Sequence, residues 1–98
     1  MTAYEVRLSR SALRRFKKLG DADRDRIGRA LQRLARDVAR PERFSGKSVK
    51  PIRGTDDTFY RLRIGDYRVM CDVIEADHVI LVLGIVDRAD LERWLRGR

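Results

Sequence analysis

Arg61-Leu62-Arg63-Ile64-Gly65-Asp66-Tyr67-Arg68 decides the fold of this chain. The stretch reads as two strands joined by a two-residue turn. Gly65 accepts the positive φ that a type II′ turn needs at its first central position, and Asp66 follows it. That turn sets the register. Ile64 pairs with Tyr67, Arg63 with Arg68, Leu62 with Val69, Arg61 with Met70 and Tyr60 with Cys71. Side chains alternate along a strand, so Tyr60, Leu62, Val69 and Cys71 share one face and Arg61, Arg63 and Arg68 the other. Like charges directly across a strand pair are destabilising. A hairpin that sets Arg63 opposite Arg68 is therefore expected to use them on an anion.

Working outward, three more strands or strand-like pieces and three helices are legible. Tyr4, Val6 and Leu8 alternate with Glu5, Arg7 and Ser9 as a first strand. Ser9 or Ser11 can cap the next helix, where Ala12, Leu13, Phe16 and Leu19 form an apolar stripe. Arg14, Arg15, Lys17 and Lys18 lie off that stripe, facing water or a partner. Gly20 is expected to stop this helix, and Asp21 or Asp23 to open a second, with Ile27, Ala30, Leu31, Leu34, Ala35 and Val38 at helical spacing. Pro41 ends it. The short link makes the two helices antiparallel neighbours. Residues 41–57 read as irregular, with an extended piece around Ser48-Val49-Lys50. Strands follow at Thr58–Ile64, Tyr67–Ile74 and Val79–Val86, the last apolar on both faces and so interior to the sheet. A final helix spans about Ala89–Arg96, grouping Leu91, Trp94 and Leu95. The order β-α-α-β-β-β-α predicts one α+β domain over residues 1–98. In it a helical hairpin backs an antiparallel sheet whose other face is free for function.

Composition narrows the partners. The chain has 98 residues, with 23 Lys and Arg against 15 Asp and Glu, a net charge of +8. Residues 1–53 carry 16 basic and 6 acidic side chains, a net +10, while residues 54–98 carry 7 and 9, a net −2. The basic residues of the second half are thus few, with three of the seven on the strands of the hairpin. The excess suggests nucleic acid or an acidic protein. The single Cys71 alternates with Val69 and Val73 and fills core space, so a reducing cytoplasm is the expected setting. No leading apolar run marks a signal peptide, and the run Val79–Val86 is too short to span a bilayer, so no membrane association is expected.

These residues together resemble a known family. The order of elements, the lead-in Lys50-Pro51-Ile52-Arg53-Gly54, the core Phe59-Tyr60-Arg61-Leu62-Arg63-Ile64-Gly65-Asp66-Tyr67-Arg68-Val69, the apolar strand and Asp87-Arg88-Ala89-Asp90-Leu91 look like the RelE/ParE superfamily of bacterial toxins, the RelE branch more closely. The resemblance covers nearly the whole chain. It implies a microbial-RNase-like RelE fold and a toxin of a type II toxin–antitoxin system that cleaves mRNA in the ribosomal A site. It also implies a cognate antitoxin that neutralises the toxin in a hetero-oligomer and carries the complex to operator DNA. By position it implies Arg61 and Arg63 on the first central strand, Arg68 on the scissile phosphate and Arg88 on the transition state. Where many relatives place a His before the terminal arginine this chain has Asp87. Where they place a Tyr after it, this chain reads Leu91-Glu92-Arg93-Trp94.

Metal-free RNA cleavage needs a base for the 2′-OH, positive charge for the phosphorane and an acid for the leaving 5′-oxygen. The four arginines meet the second need, because guanidinium is planar, permanently charged and bidentate toward phosphate. They are poor acids and bases. The groups available for proton transfer are Asp87, Glu92, Tyr67 and His78. Each has a plainer reading. Asp87 and Asp90 fit an N-cap and first-turn acid for the last helix. Tyr67 falls on the apolar face as a core residue, and His78 is a solvated turn residue. Trp94 groups with Leu91 and Leu95 for packing, on the domain or against an antitoxin. Lys50, Arg53, Arg14, Lys17 and Lys18 are candidates for RNA phosphates on a 70S ribosome, or else a solvated face. Salt bridges to Asp72 or Asp57 account for at most part of the arginine cluster. No metal or organic cofactor is indicated. The competing functions are gyrase inhibition in the manner of ParE, without nuclease activity, and an inactive scaffold that only binds antitoxin.

Overall fold

The structure, a computed structural model, describes residues 4–38, 49–52 and 59–97. It is an α+β fold with a five-stranded sheet in the order β1-β5-β4-β3-β2. The strands are β1 (Glu5–Leu8), β2 (Val49–Ile52), β3 (Phe59–Ile64), β4 (Tyr67–Ile74) and β5 (Val79–Asp87), and the helices are α1 (Arg10–Lys18), α2 (Asp21–Asp37) and α3 (Leu91–Arg96). The expected order of elements holds, and the piece around Val49-Lys50 proves to be a strand. β2 is an edge strand. That position suits Pro51, which has no N–H to give a second neighbour. The expected helix ends at Pro41 and strand start at Thr58 lie outside the described residues.

The β3–β4 register is the one the turn dictates, from Ile64↔Tyr67 to Tyr60↔Cys71, with Arg63 facing Arg68. Gly65 supplies the positive φ, at 58°. The expectation of an antiparallel sheet needs one correction. β2 through β5 alternate in direction, but β1 runs parallel to β5. Tight turns force the antiparallel steps from β3 to β5. β1 is joined to the remaining strands only through the helical hairpin, so no turn constrains its direction relative to β5.

Ser9 caps α1, its Oγ accepting from the Ala12 amide at 3.2 Å. The same hydroxyl lies 3.1 Å from the Leu83 carbonyl, to which it donates. Leu83 is the extra residue of β5 where Met70 pairs with Gly84 and Cys71 with Val82. The cap thus satisfies a carbonyl that the β-bulge removes from the ladder. Gly20 does not stop α1 in a left-handed conformation. It is the N-cap of α2 at φ −64°, and Leu19 closes α1 through its amide to the Phe16 carbonyl.

α1 and α2 cover one face of the sheet. Ala12, Ile27, Leu31, Leu34 and Ala35 meet Leu62, Val69, Cys71, Ile80, Val82 and Ile85 in a single core. The opposite face is not wholly free, as the sequence reading had it. α3 lies across part of it, where Met70 and Leu91 are buried among Leu83, Val86, Trp94 and Leu95. Gly84 permits this approach. A β-carbon there would stand 2.5 Å from Trp94 Nε1, closer than any side chain tolerates. Trp94 therefore packs on its own domain.

Candidate functional site

Arginine alternates with buried apolar residues on the hairpin. Leu62, Ile64 and Val69 turn into the helix-backed core, which sends Arg61, Arg63 and Arg68 to the other face. Arg88 joins them from the 3₁₀ turn that follows β5, its amide donating to the Asp66 carbonyl at 2.8 Å. That bond ties the end of β5 to the hairpin turn. Burial holds the Arg68 guanidinium below its ordinary pKa, and the charges of Arg63, Arg61 and Arg88 push it further down; Asp66 opposes them weakly. All four sequence-predicted arginines are thus brought into one electrostatic neighbourhood. Arg68 rests on the turn, with Nη1 donating to the carbonyls of Gly65 at 3.1 Å and Tyr67 at 2.9 Å.

Among the described residues none of these four arginines forms an ion pair, although Arg7, Arg15, Arg24, Arg29 and Arg93 do. The Asp72 salt bridge considered from sequence is not formed, and Asp57 lies outside the described residues. The cluster is a concentration of uncompensated guanidinium. It can bind and polarise a phosphodiester, but guanidinium groups are poor proton donors and acceptors for the reaction.

The proton-transfer candidates are dispersed. Tyr67 packs against the helix-backed core, and its hydroxyl donates to Asp23 Oδ2 of α2 at 3.2 Å. Burial, then the hydrogen bond and charge of Asp23, with a smaller push from Asp87, raises its pKa. Asp87 stands opposite Tyr67 in register and accepts from Arg15 Nη2 of α1 at 3.1 Å. It occupies the cap position of the 3₁₀ turn, but its side chain makes no cap hydrogen bond. Glu92 is exposed on the first turn of α3. His78 closes the β4–β5 connection in a left-handed conformation, φ 53°, with its ring edge-on to Tyr4 at 5.2 Å. Cys71 is fully buried, and burial pushes its thiol up to about 12.

Arg14, Lys17 and Lys18 are exposed on α1, in the layer across the sheet from the arginine cluster. Lys50 stands in register with Arg61 on the neighbouring strand, and Arg53 lies outside the described residues. From the sequence Arg15 is expected to face water or a partner and Asp23 is a candidate opener of α2, and neither reading reaches their contacts with Asp87 and Tyr67. Their signal is tertiary, since each reaches a partner more than forty residues away.

The chain belongs to the ParE toxin family of type II toxin–antitoxin systems, whose model matches residues 6–92. Solved structures extend the likeness to RelE. The RelE–RelB complex from the archaeon Pyrococcus horikoshii OT3 contains a chain 30% identical over 89% of this one and 97% of that one, with a TM-score of 0.69. The RelBE complex of E. coli gives 26% identity over 87% and 96%, with a TM-score of 0.64. The isolated E. coli RelE toxin shares the fold at 22% identity over 98% and 100%, with a TM-score of 0.65. No curated protein sequence matches significantly. The family is thus the RelE/ParE superfamily that the hairpin and its flanks resemble.

Proposed function

We propose that this chain is a ribosome-dependent endoribonuclease that cuts mRNA in the A site and so stops translation. The observation that carries this reading is the set Arg61, Arg63, Arg68 and Arg88, gathered on one face and left without acidic partners among the described residues. Uncompensated like charge costs stability, and a phosphodiester repays it. In this reading Arg68 holds the scissile phosphate and Arg88 meets the charge that develops in the phosphorane. Arg61 and Arg63 bind the strand beside them, and the arginines supply the charge that a metal supplies in other nucleases. Orientation on the ribosome contributes a large share of the acceleration. Lys50, Arg53, Arg14, Lys17 and Lys18 hold ribosomal RNA phosphates. The partner is an antitoxin, as in the RelE–RelB complexes, acidic where it covers the arginines and carrying the complex to operator DNA. The setting is the bacterial or archaeal cytoplasm; no described helix is long and apolar enough to cross a membrane.

Gyrase inhibition without nuclease activity is the second reading. It is favoured by the ParE family model and by the turning of Tyr67 and Asp87 toward the helices. One experiment decides. The toxin is expressed without antitoxin and mRNA ends are mapped on stalled ribosomes. A-site cuts that vanish in Arg68→Ala and Arg88→Ala are the expected result. Growth arrest with intact mRNA and blocked gyrase supercoiling overturns it in favour of the second reading, and absence of toxicity leaves an antitoxin-binding scaffold.

A further inference from the structure

Two polar links cross from the helical layer to the end of the sheet that carries Arg68 and Arg88. Arg15 of α1 reaches Asp87, and Asp23 of α2 receives the Tyr67 hydroxyl. Tyr67 and Asp87 face each other in register across β4 and β5. Each immediately precedes an arginine of the cluster, Tyr67 before Arg68 and Asp87 before Arg88. Neighbours along a strand turn to opposite faces, so fixing Tyr67 on the helix side orients Arg68 toward the cluster, while fixing Asp87 at the end of β5 sets where the following 3₁₀ turn presents Arg88. A third tie, from the Arg88 amide to the Asp66 carbonyl, closes the same end.

The cluster needs such restraint. Arg68 is repelled by three other guanidinium groups, and long side chains relieve repulsion by splaying apart. A phosphorane is stabilised only by donors already aimed at it. Tyr67 is well suited to an anchor, because its environment keeps the phenol protonated and hence a donor to Asp23. Arg15 is committed too. Its Nε is enclosed without a hydrogen-bond partner, a cost that the pair with Asp87 has to offset.

We propose that Arg15 and Asp23 are positioning residues that hold Asp87 and Tyr67 as anchors, so that Arg68 and Arg88 stay aligned on one phosphate. Asp87 and Tyr67 then carry no proton in the reaction. The functional half of this proposal rests on the nuclease reading; the structural half does not.

The test uses the full chain with 70S ribosomes carrying mRNA, in the variants Arg15→Gln, Asp87→Asn, Tyr67→Phe and the double Arg15→Gln/Asp87→Asn. The Arg15–Asp87 pair is half exposed, so these changes leave the fold intact. Each single variant is expected to lower kcat by about tenfold or more at unchanged KM, since small misplacements of aligned groups are costly. The double variant matches its singles, Arg15→Lys recovers part of the loss, and the pH–rate profile keeps its shape. Hydrogen exchange at the Arg88 amide quickens in Arg15→Gln and Asp87→Asn. Multiplying losses, a raised KM at constant kcat, or a pH profile that loses one limb in Asp87→Asn alone overturns the proposal, the last by making Asp87 a proton carrier. If the wild-type chain cuts no mRNA, the nuclease reading fails by itself. The Arg88 amide then decides: faster exchange in the two variants supports the clamp, and unchanged exchange refutes it.

Discussion

At the scale of single residues, the informative choice is arginine where a sheet does not want it. Arg63 and Arg68 stand directly opposite each other, and the pair costs a few tenths to about 1 kcal/mol relative to a neutral pair. Among the described residues no ion pair offsets this, and Asp66 opposes it only weakly. A protein selected for stability alone would place Thr there. Arg63→Thr is therefore expected to stabilise the free protein by about 0.5 kcal/mol in urea denaturation and, on the proposed nuclease reading, to weaken RNA cleavage. Loss of stability in that variant would show that Arg63 has a structural partner. Asp87 teaches a different lesson. Its position before a helical turn reads as a cap in the sequence, but its carboxylate goes to Arg15, a stronger and charge-assisted acceptor role. Tyr67 behaves as its apolar register position foretells, with only the hydroxyl seeking a polar partner.

At the scale of elements, the register of the hairpin and the buried face of α2 were legible, though not the ends of α2. Gly65 sets the turn, the turn sets the register, and the register separates arginines from core without any knowledge of the remaining chain. The helical spacing from Ile27 to Ala35 likewise marks the buried face of α2. α3 is where sequence reasoning met its limit. Six residues with Leu91, Trp94 and Leu95 announce an apolar face but not its partner. The partner is a patch of Met70, Leu83 and Val86 around Gly84, on the same side of the sheet as the arginines. Gly84→Val is expected to force α3 off the sheet. Trp94 is the single tryptophan, so the change reads as a red shift of its emission with the far-ultraviolet signal of the sheet retained. An unshifted emission would mean that Trp94 packs elsewhere.

For the whole molecule, charge and architecture divide the labour. The helical layer carries most of the excess positive charge, while the second half is net negative even with its clustered arginines. Association with ribosomes is expected to weaken steeply as salt rises, because each neutralised phosphate releases counterions. Affinity that stays flat between low and moderate salt would contradict a phosphate-dominated interface. The sheet is mixed for a reason of the same scale. β1 and β5 lie at opposite ends of the chain and are joined by no tight turn, so the parallel direction of β1 is a property of the assembled layers.

The sequence by itself determined the order of elements, the hairpin register, the helix-backed core and the four arginines of the candidate site. Apart from Arg88, which the family resemblance implied, these follow from short-range periodicity and turn chemistry, which act over a few residues. Only the tertiary structure decided the direction of β1, the seat of α3 over Gly84, and the ties from Arg15 and Asp23 to the ends of β4 and β5. Those depend on contacts between residues far apart in the chain, and a polar side chain on a helix surface carries no local mark of the partner it will reach.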